Sequence, residues 1–306
     1  MSSAVILCNG EFPRKEYPRY LLRNADVLIC CDSARNVERL RKLGLEPTLL
    51  VGDMDSTPKS VLKRLGWESE GGSVSAGSCR IVRISEQDDN DLAKAFALLR
   101  KRYPEATDIH ILGAGGKNEA HTVGNLGWLL EWERRSLEET GRGLAARGIN
   151  VDMVSDWSTA FAVSPAIAVG QAAAPDPDRG SAAHPPHLRC VPPSNDVEGG
   201  TPLGGSTCPD SAPSGTVPPQ GQESGYGRGC HGPQGQHLPV ELCVGEGRRI
   251  SFFATDNTLR VTSQGLQWPL DGVDLSRWWA ATLNRATSDT VVLRFNHPAP
   301  LLVILD

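Results

Sequence analysis

Short apolar runs alternate with amphipathic stretches through the first half of the chain. Residues 5–8, 27–31, 48–51, 81–84, 109–112 and 151–154 have the length and apolar content of strands. Between them, apolar residues recur at helical spacing: Val37, Leu40 and Leu43 in 34–43; Leu92, Ala95, Phe96 and Leu99 in 91–103; Leu126, Leu129, Leu130 and Leu137 in 122–137. Gly44 follows the first of these as a helix stop. This alternation predicts an α/β domain over residues 1–155, with a mostly parallel, Rossmann-like sheet covered by helices. Ligands of such sheets bind beyond the carboxyl ends of the strands. Asp32, Asp53, Asp55 and Gly113 fall just past strand ends, and Asp91 opens a helix beyond another.

The pattern breaks after about residue 164. From there to about 240 the chain is dominated by Pro, Gly, Ala and Ser. Such a segment buries too little apolar surface to offset its ordering entropy, so 165–240 is expected to be a disordered insertion. Strand patterns resume at 249–253, 258–262, 291–295 and 301–305, with 156–163 as a further strand ahead of the insertion. Residues 156–306 therefore predict a small all-β unit, a sandwich or barrel with the sandwich preferred, that carries the insertion.

Charge and composition narrow the setting. The 306 residues carry a formal net charge of -5. No long basic run appears, which argues against nucleic acid or an anionic membrane as the main partner. The N-terminal apolar run is too short for a signal peptide, and no stretch approaches the length of a membrane span. A cytoplasmic protein is the expectation. Cys8, Cys30 and Cys31 lie in strand-like runs and are expected to be buried as small hydrophobes. His184, His187 and Cys190 recur at three-residue intervals but lack the partner spacing of a zinc module.

The strongest local chemistry is Gly52-Asp53-Met54-Asp55-Ser56, directly after an apolar strand. In an extended segment residues i and i+2 point the same way, so both carboxylates would face one side. Hard cations such as Mg²⁺ take oxygen ligands of this kind, completed by substrate phosphates. Glu86-Gln87-Asp88-Asp89-Asn90-Asp91 precedes a helix, where acidic residues also suit the dipole and Asp88 or Asn90 suits the N-cap. Lys94, on the same face as Asp91, is either a surface ion-pair member or a phosphate contact. Gly113-Ala114-Gly115-Gly116-Lys117 lies between a strand and a helix and can cradle an anion, although neither the phosphate-loop nor the dinucleotide fingerprint fits it. Trp268, Trp278 and Trp279 are either core residues or a stacking surface for a flat ligand.

Taken in order along the chain, these segments resemble the thiamine pyrophosphokinase family, its bacterial form in particular. The matching segments are Cys8 to Pro13, Asp32-Ser33-Ala34-Arg35-Asn36, Gly52 to Ser56, Gln87 with Asn90 to Ala95, Gly113 to Lys117, and His121-Thr122-Val123-Gly124-Asn125. In the C-terminal unit they are Gly265 to Leu270, Trp278-Trp279 and Thr282-Leu283-Asn284. The resemblance implies transfer of the diphosphoryl group of ATP to the hydroxyl of thiamine, with Mg²⁺ as cofactor. It implies Asp53, Asp55 and Asp91 as metal ligands, with one of these or Asp32 as general base. Gln87, Asn90, Lys94, Gly113, Gly115, Gly116, Lys117 and His121 would bind nucleotide and phosphate. Trp268, Trp278, Trp279, Thr282 and Asn284 would bind thiamine, in a homodimer whose active site lies at the subunit interface.

Three departures stand out. The loop has Asn118 and Ala120 where the family has Arg and Asp. The first acidic segment has Ser33 and Arg35 where Gly and Ala are usual. The insertion replaces a short connection. They leave a second reading open, in which the chain is a non-catalytic or altered-specificity relative that binds thiamine or another alcohol.

Overall fold

The computed structural model describes residues 2–54, 63, 75–76, 79–85, 89–165 and 239–306. Asp55, Gln87, His184, His187, Cys190 and nearly all of 165–240 lie outside these residues.

One eleven-stranded sheet runs through the described residues. Six strands form its parallel part: β1 (Ser2–Leu7), β2 (Val27–Cys31), β3 (Leu49–Gly52), β5 (Cys79–Arg83), β6 (Ala106–Leu112) and β7 (Asn150–Val154). The short β4 (Ser75–Ala76) adds antiparallel to β5. At the other side β8 (Thr159–Val163), β14 (Leu301–Leu305), β10 (Arg249–Phe253) and β12 (Asn284–Arg285) continue the sheet antiparallel, in that order beyond β7. A second sheet has three strands, β11 (Val261–Gln264), β13 (Thr290–Phe295) and β9 (Val240–Cys243).

Helices α1 (Glu16–Asn24), α2 (Ala34–Lys42), α3 (Asp91–Arg102) and α4 (Glu119–Thr140) cover the parallel part. Leu21 and Leu22 of α1 and Val37 and Leu40 of α2 pack with Val5, Leu7, Leu28, Cys30 and Leu50 on one face. Phe96 and Leu99 of α3 and Trp128, Leu129 and Leu130 of α4 pack with Ile6, Ile29, Val51, Ile109 and Ile111 on the other. The ring of Phe96 stands edge-on to Trp128, with centroids 4.9 Å apart. Each large side chain buried in this way contributes roughly 1.5–3 kcal/mol.

The three-stranded sheet closes a third core, in which Leu242, Val261, Val291 and Leu293 meet Ile250, Phe252, Leu301, Val303 and Leu305. The all-β unit thus includes a sandwich, but one of its layers is the far end of the same sheet that begins with the parallel strands. The change from parallel to antiparallel falls in the turn between β7 and β8. Cys8, Cys30, Cys31 and Cys79 are buried. Among the described residues, no helix is long and apolar enough to cross a membrane.

Candidate functional site

The strand order reverses its direction of growth between β1 and β6: β2, β3 and β5 extend one side of β1, and β6 and β7 the other. Loops leaving such adjacent strands diverge to opposite faces and open a crevice at the carboxyl ends. Here the two loops are the β1–α1 segment and the glycine loop 113–118.

Backbone hydrogen bonds lace them together. Cys8 N donates to Leu112 O at 2.8 Å, Gly10 N to Gly113 O at 2.7 Å, and Glu11 N to Gly115 O at 2.8 Å. The approach leaves no room for a side chain at residue 10, where a Cβ would lie 2.5 Å from Gly115 O. Gly113 has φ 63, a conformation that glycine adopts without steric cost. The loop feeds into α4 through Asn118, whose Oδ1 accepts from His121 N at 3.1 Å. Lys117 Nζ donates to Asn9 O at 3.3 Å. His121 is exposed on the first turn of α4.

Asn118 therefore has a definite job as an N-cap, and so does Ser33, which accepts from Asn36 N at 3.3 Å to cap α2. Nothing in the structure explains Ala120 or Arg35.

Two buried asparagines outside the expected site bind these loops into one framework. Asn36 Nδ2 donates to Cys8 O at 2.9 Å. Asn125 Nδ2 donates to Ala114 O at 2.8 Å, while its Oδ1 accepts from Asn90 Nδ2 at 3.3 Å. Asn90 in turn caps α3 by accepting from Ala93 N at 2.8 Å. Both asparagines belong to segments that carry the resemblance. The signal was their type: a buried amide must find partners.

The carboxylates stand beside this framework. Asp32 follows β2, is 4% exposed and has φ 26. Its N–H donates to Val51 O at 2.7 Å, which carries β2–β3 pairing past the strand end. Asp53 follows β3, and Arg83 Nε donates to its carbonyl oxygen at 3.1 Å. The chain is not extended there: Met54 is buried with φ 65, so the alternation argument for Asp53 and Asp55 does not apply. Asp91 lies in the first turn of α3, whose dipole favours a negative charge. Its charge is felt at Cys31, whose thiol is pushed well above its usual range by the Cys8 hydrogen bond, by burial and by neighbouring charges including Asp91. Lys94 is 6% exposed, so it is no surface ion-pair residue.

Among the described residues, no three or more His, Cys, Asp or Glu side chains are grouped to hold a metal ion by themselves. Asp55 is outside that set. The donors that are placed are carboxylate oxygens, and the nearby Cys31 thiol stays protonated. Such a set fits a hard cation that keeps phosphate or water ligands, and does not fit a soft one.

The three tryptophans divide. Trp278 is half-buried, donates from Nε1 to Ala254 O at 2.9 Å and stands edge-on to Phe253. Trp268 is 56% exposed and Trp279 72% exposed, so these two are not core residues. Asn284 is 3% exposed and spends its amide on Trp268, accepting from its N at 3.2 Å and donating to its O at 2.6 Å. Thr282 Oγ1 donates to Trp279 O at 3.4 Å. This patch surrounds β12, the strand at the end of the sheet, six strand positions from β1. At about 4.8 Å per position, that is about 30 Å along the sheet from the strand-end crevice.

Comparison with known proteins joins these two regions under one description. Residues 18–139 match the family model described as thiamin pyrophosphokinase, catalytic domain. Residues 239–298 match the model described as thiamin pyrophosphokinase, substrate-binding domain. A thiamin pyrophosphokinase family protein from Enterococcus faecalis superposes with TM-score 0.56 at 14% identity, covering 100% of this chain and 99% of that one. A thiamine pyrophosphokinase from Bacillus subtilis gives 0.55 at 13%, covering 99% and 98%. The yeast enzyme gives 0.56 at 12%, covering 100% and 86%. At these identities the superpositions show a shared fold. None of the curated proteins matches the chain in sequence.

Proposed function

The chain belongs to the thiamine pyrophosphokinase family, and from that premise we propose that it transfers the diphosphoryl group of ATP to the hydroxyl of thiamine. The hydroxyl oxygen attacks the β-phosphorus. The bond from that phosphorus to the oxygen bridging the α-phosphate breaks, and AMP leaves with thiamine diphosphate formed. Catalysis of such a transfer is mostly positioning and charge neutralisation.

What supports the reading is the gathering of Asp32, Asp53, Asp91 and the glycine loop at the carboxyl ends around one switch point. Asp53, Asp55 and Asp91 would hold Mg²⁺, which supplies charge neutralisation on the ATP phosphates. Asp32, or one of those three, takes the hydroxyl proton. The N–H groups of Gly113 to Lys117, with the ammonium groups of Lys94 and Lys117, hold phosphate oxygens. Gln87, Asn90 and His121 orient the nucleotide.

In the β unit the exposed faces of Trp268 and Trp279 receive the thiamine rings. Asn284 holds Trp268 through its backbone, Trp278 anchors the segment before Trp279 to Ala254, and Thr282 borders Trp279. By strand count, one chain's tryptophans lie about 30 Å along the sheet from its own crevice. A homodimer, in which each crevice is faced by the partner's β unit, removes that difficulty.

AMP release from Mg-ATP, measured with and without thiamine, tests the activity. Release that rises with thiamine is expected. Thiamine binding by calorimetry without any AMP release would instead identify a non-catalytic binding protein.

A further inference from the structure

The turn between β7 and β8 reaches the β1–α1 segment, which leaves a strand two positions from β7. Ser155 N donates to Ser158 O at 2.9 Å, and Ser155 Oγ accepts from Trp157 N at 3.1 Å and Ser158 N at 2.9 Å. This bonding pins the residue between them, Asp156. Its carboxylate accepts from Arg14 N at 3.0 and 3.1 Å and from Lys15 N at 3.0 Å. Lys15 is the N-cap of α1 and caps nothing with its own side chain. Asp156 therefore places, from 141 residues away, a carboxylate at the start of this helix, where the dipole favours negative charge.

The same loop, three to five residues earlier, is the one hydrogen-bonded to the glycine loop through Gly10 and Glu11. The Arg14 guanidinium pairs with the Glu11 carboxylate. Glu11 packs so closely on Gly116 that a Cβ there would lie 2.8 Å from the Glu11 Cβ. Lys15 Nζ stands 4.5 Å over the Trp157 ring, a second tie between turn and loop. A continuous path thus runs from Asp156 through residues 14–15 and 10–11 to 113–116.

We propose that Asp156 is a positioning residue that sets the glycine loop for nucleotide phosphates, a proposal that rests on the reading of that loop as the phosphate cradle. Without the carboxylate, the N–H groups of Arg14 and Lys15 lose their acceptor. The β1–α1 segment loosens, and the glycine loop loses the backbone it is laced to. The phosphates then meet N–H groups that are no longer held in place.

The test uses Asp156→Ala and Asp156→Asn in the full-length protein. Asp156→Ala is expected to raise KM for ATP about tenfold, with KM for thiamine unchanged, because misplaced binding groups act on the ligand they hold. Amide hydrogen exchange should speed up at 10–15 and 113–117, and not in β2 or β3, as for a local opening. Asp156→Asn keeps the Oδ1 that accepts from both N–H groups, and is expected to restore both readouts most of the way. Unchanged exchange at 113–117 in Asp156→Ala would overturn the proposal. So would an equal rise of both KM values with faster exchange throughout, which marks a merely structural role. If the unaltered protein releases no thiamine-dependent AMP, the enzymatic reading fails by itself. Exchange and the calorimetric Kd for ATP then still decide the role of Asp156.

Discussion

Gly52 and Asp32 touch across the ends of neighbouring strands: a Cβ on Gly52 would lie 2.5 Å from the Asp32 Cβ. Asp32 has little freedom to retreat, because it is buried, has φ 26 and donates its N–H to Val51 O. Gly52→Ala is therefore expected to cost about 1–3 kcal/mol of stability, as overpacking does. It should also displace the Asp32 carboxylate and lower turnover by at least about tenfold, on the scale at which misplacement costs rate. Gly127→Ala is the control, since a Cβ there meets nothing within 4 Å in a helix interior. That change should gain up to about 1 kcal/mol and leave turnover intact. Urea denaturation and AMP release read both effects.

Asp53→Asn removes one charge and almost no volume. Asp53 is only partly buried, and the hydrogen bond from Arg83 goes to its backbone carbonyl, which the variant keeps. The fold should stay intact, as urea denaturation reads, while thiamine-dependent AMP release disappears. Near-normal release would remove Asp53 from the metal site.

The alternation of apolar runs made the parallel strands and helices α2 to α4 legible in the sequence, because each is a local pattern. Helix α1 was not legible, since Pro18 interrupts its sequence. Pro18 falls in the first turn, where its missing N–H has no intrahelical partner to lose. Helix α4 begins at Glu119, earlier than its apolar spacing shows, because the cap Asn118 defines the start. Strand β11 begins at Val261, three residues later than its pattern, because Asp256 Oδ1 accepts from Thr258 N at 2.7 Å and holds a turn there. The joining of β8, β14, β10 and β12 to the parallel strands is a matter of pairing across distant residues, which periodicity does not carry. In the site, the residue types were legible and their burial was not: Lys94 is inside, whereas Trp268 and Trp279 are outside.

Lys94 separates stability from activity. A lysine that is 6% exposed loses most of its hydration on folding, which costs free energy that a methionine would not lose. Lys94→Met keeps the length of the stem and removes the charge. The expectation is unchanged or higher stability in urea, together with a fall in turnover of about a hundredfold, as for loss of an electrostatic contact to a developing charge. Retained turnover would show that this ammonium does not meet phosphate.

The pH dependence of stability should show a histidine on the sheet face. His110 Nδ1 lies 2.7 Å from Asp152 Oδ1, on neighbouring strands β6 and β7. Burial disfavours the charged ring, but the charge of Asp152, its hydrogen bond and the charge of Asp108 outweigh burial and raise the pKa above its ordinary 6.5. The folded protein thus holds this proton more tightly than the unfolded chain does. The stabilisation is complete below the unfolded pKa and is lost as pH rises through the folded one. His110→Gln should therefore be more destabilising at pH 5.5 than at pH 9, as measured by urea titration. A difference that does not vary with pH would mean that the His110 ring does not change charge across this range.

Complementation between two inactive variants tests whether the crevice and the tryptophan patch of different chains form one site. One variant is Asp53→Asn. The other is the double change Trp268→Ala with Trp279→Ala, which removes two exposed rings and should leave the fold intact. In a symmetric dimer, a mixed pair has one site that carries both defects and one that carries neither. Co-expressed in equal amounts, the two chains should form mixed dimers in about half of all pairs, which restores about a quarter of full activity by that symmetry. If each chain built its site from its own tryptophans, every site would carry a defect and no activity would return. The roughly 30 Å between patch and crevice along the sheet makes recovery the expected result.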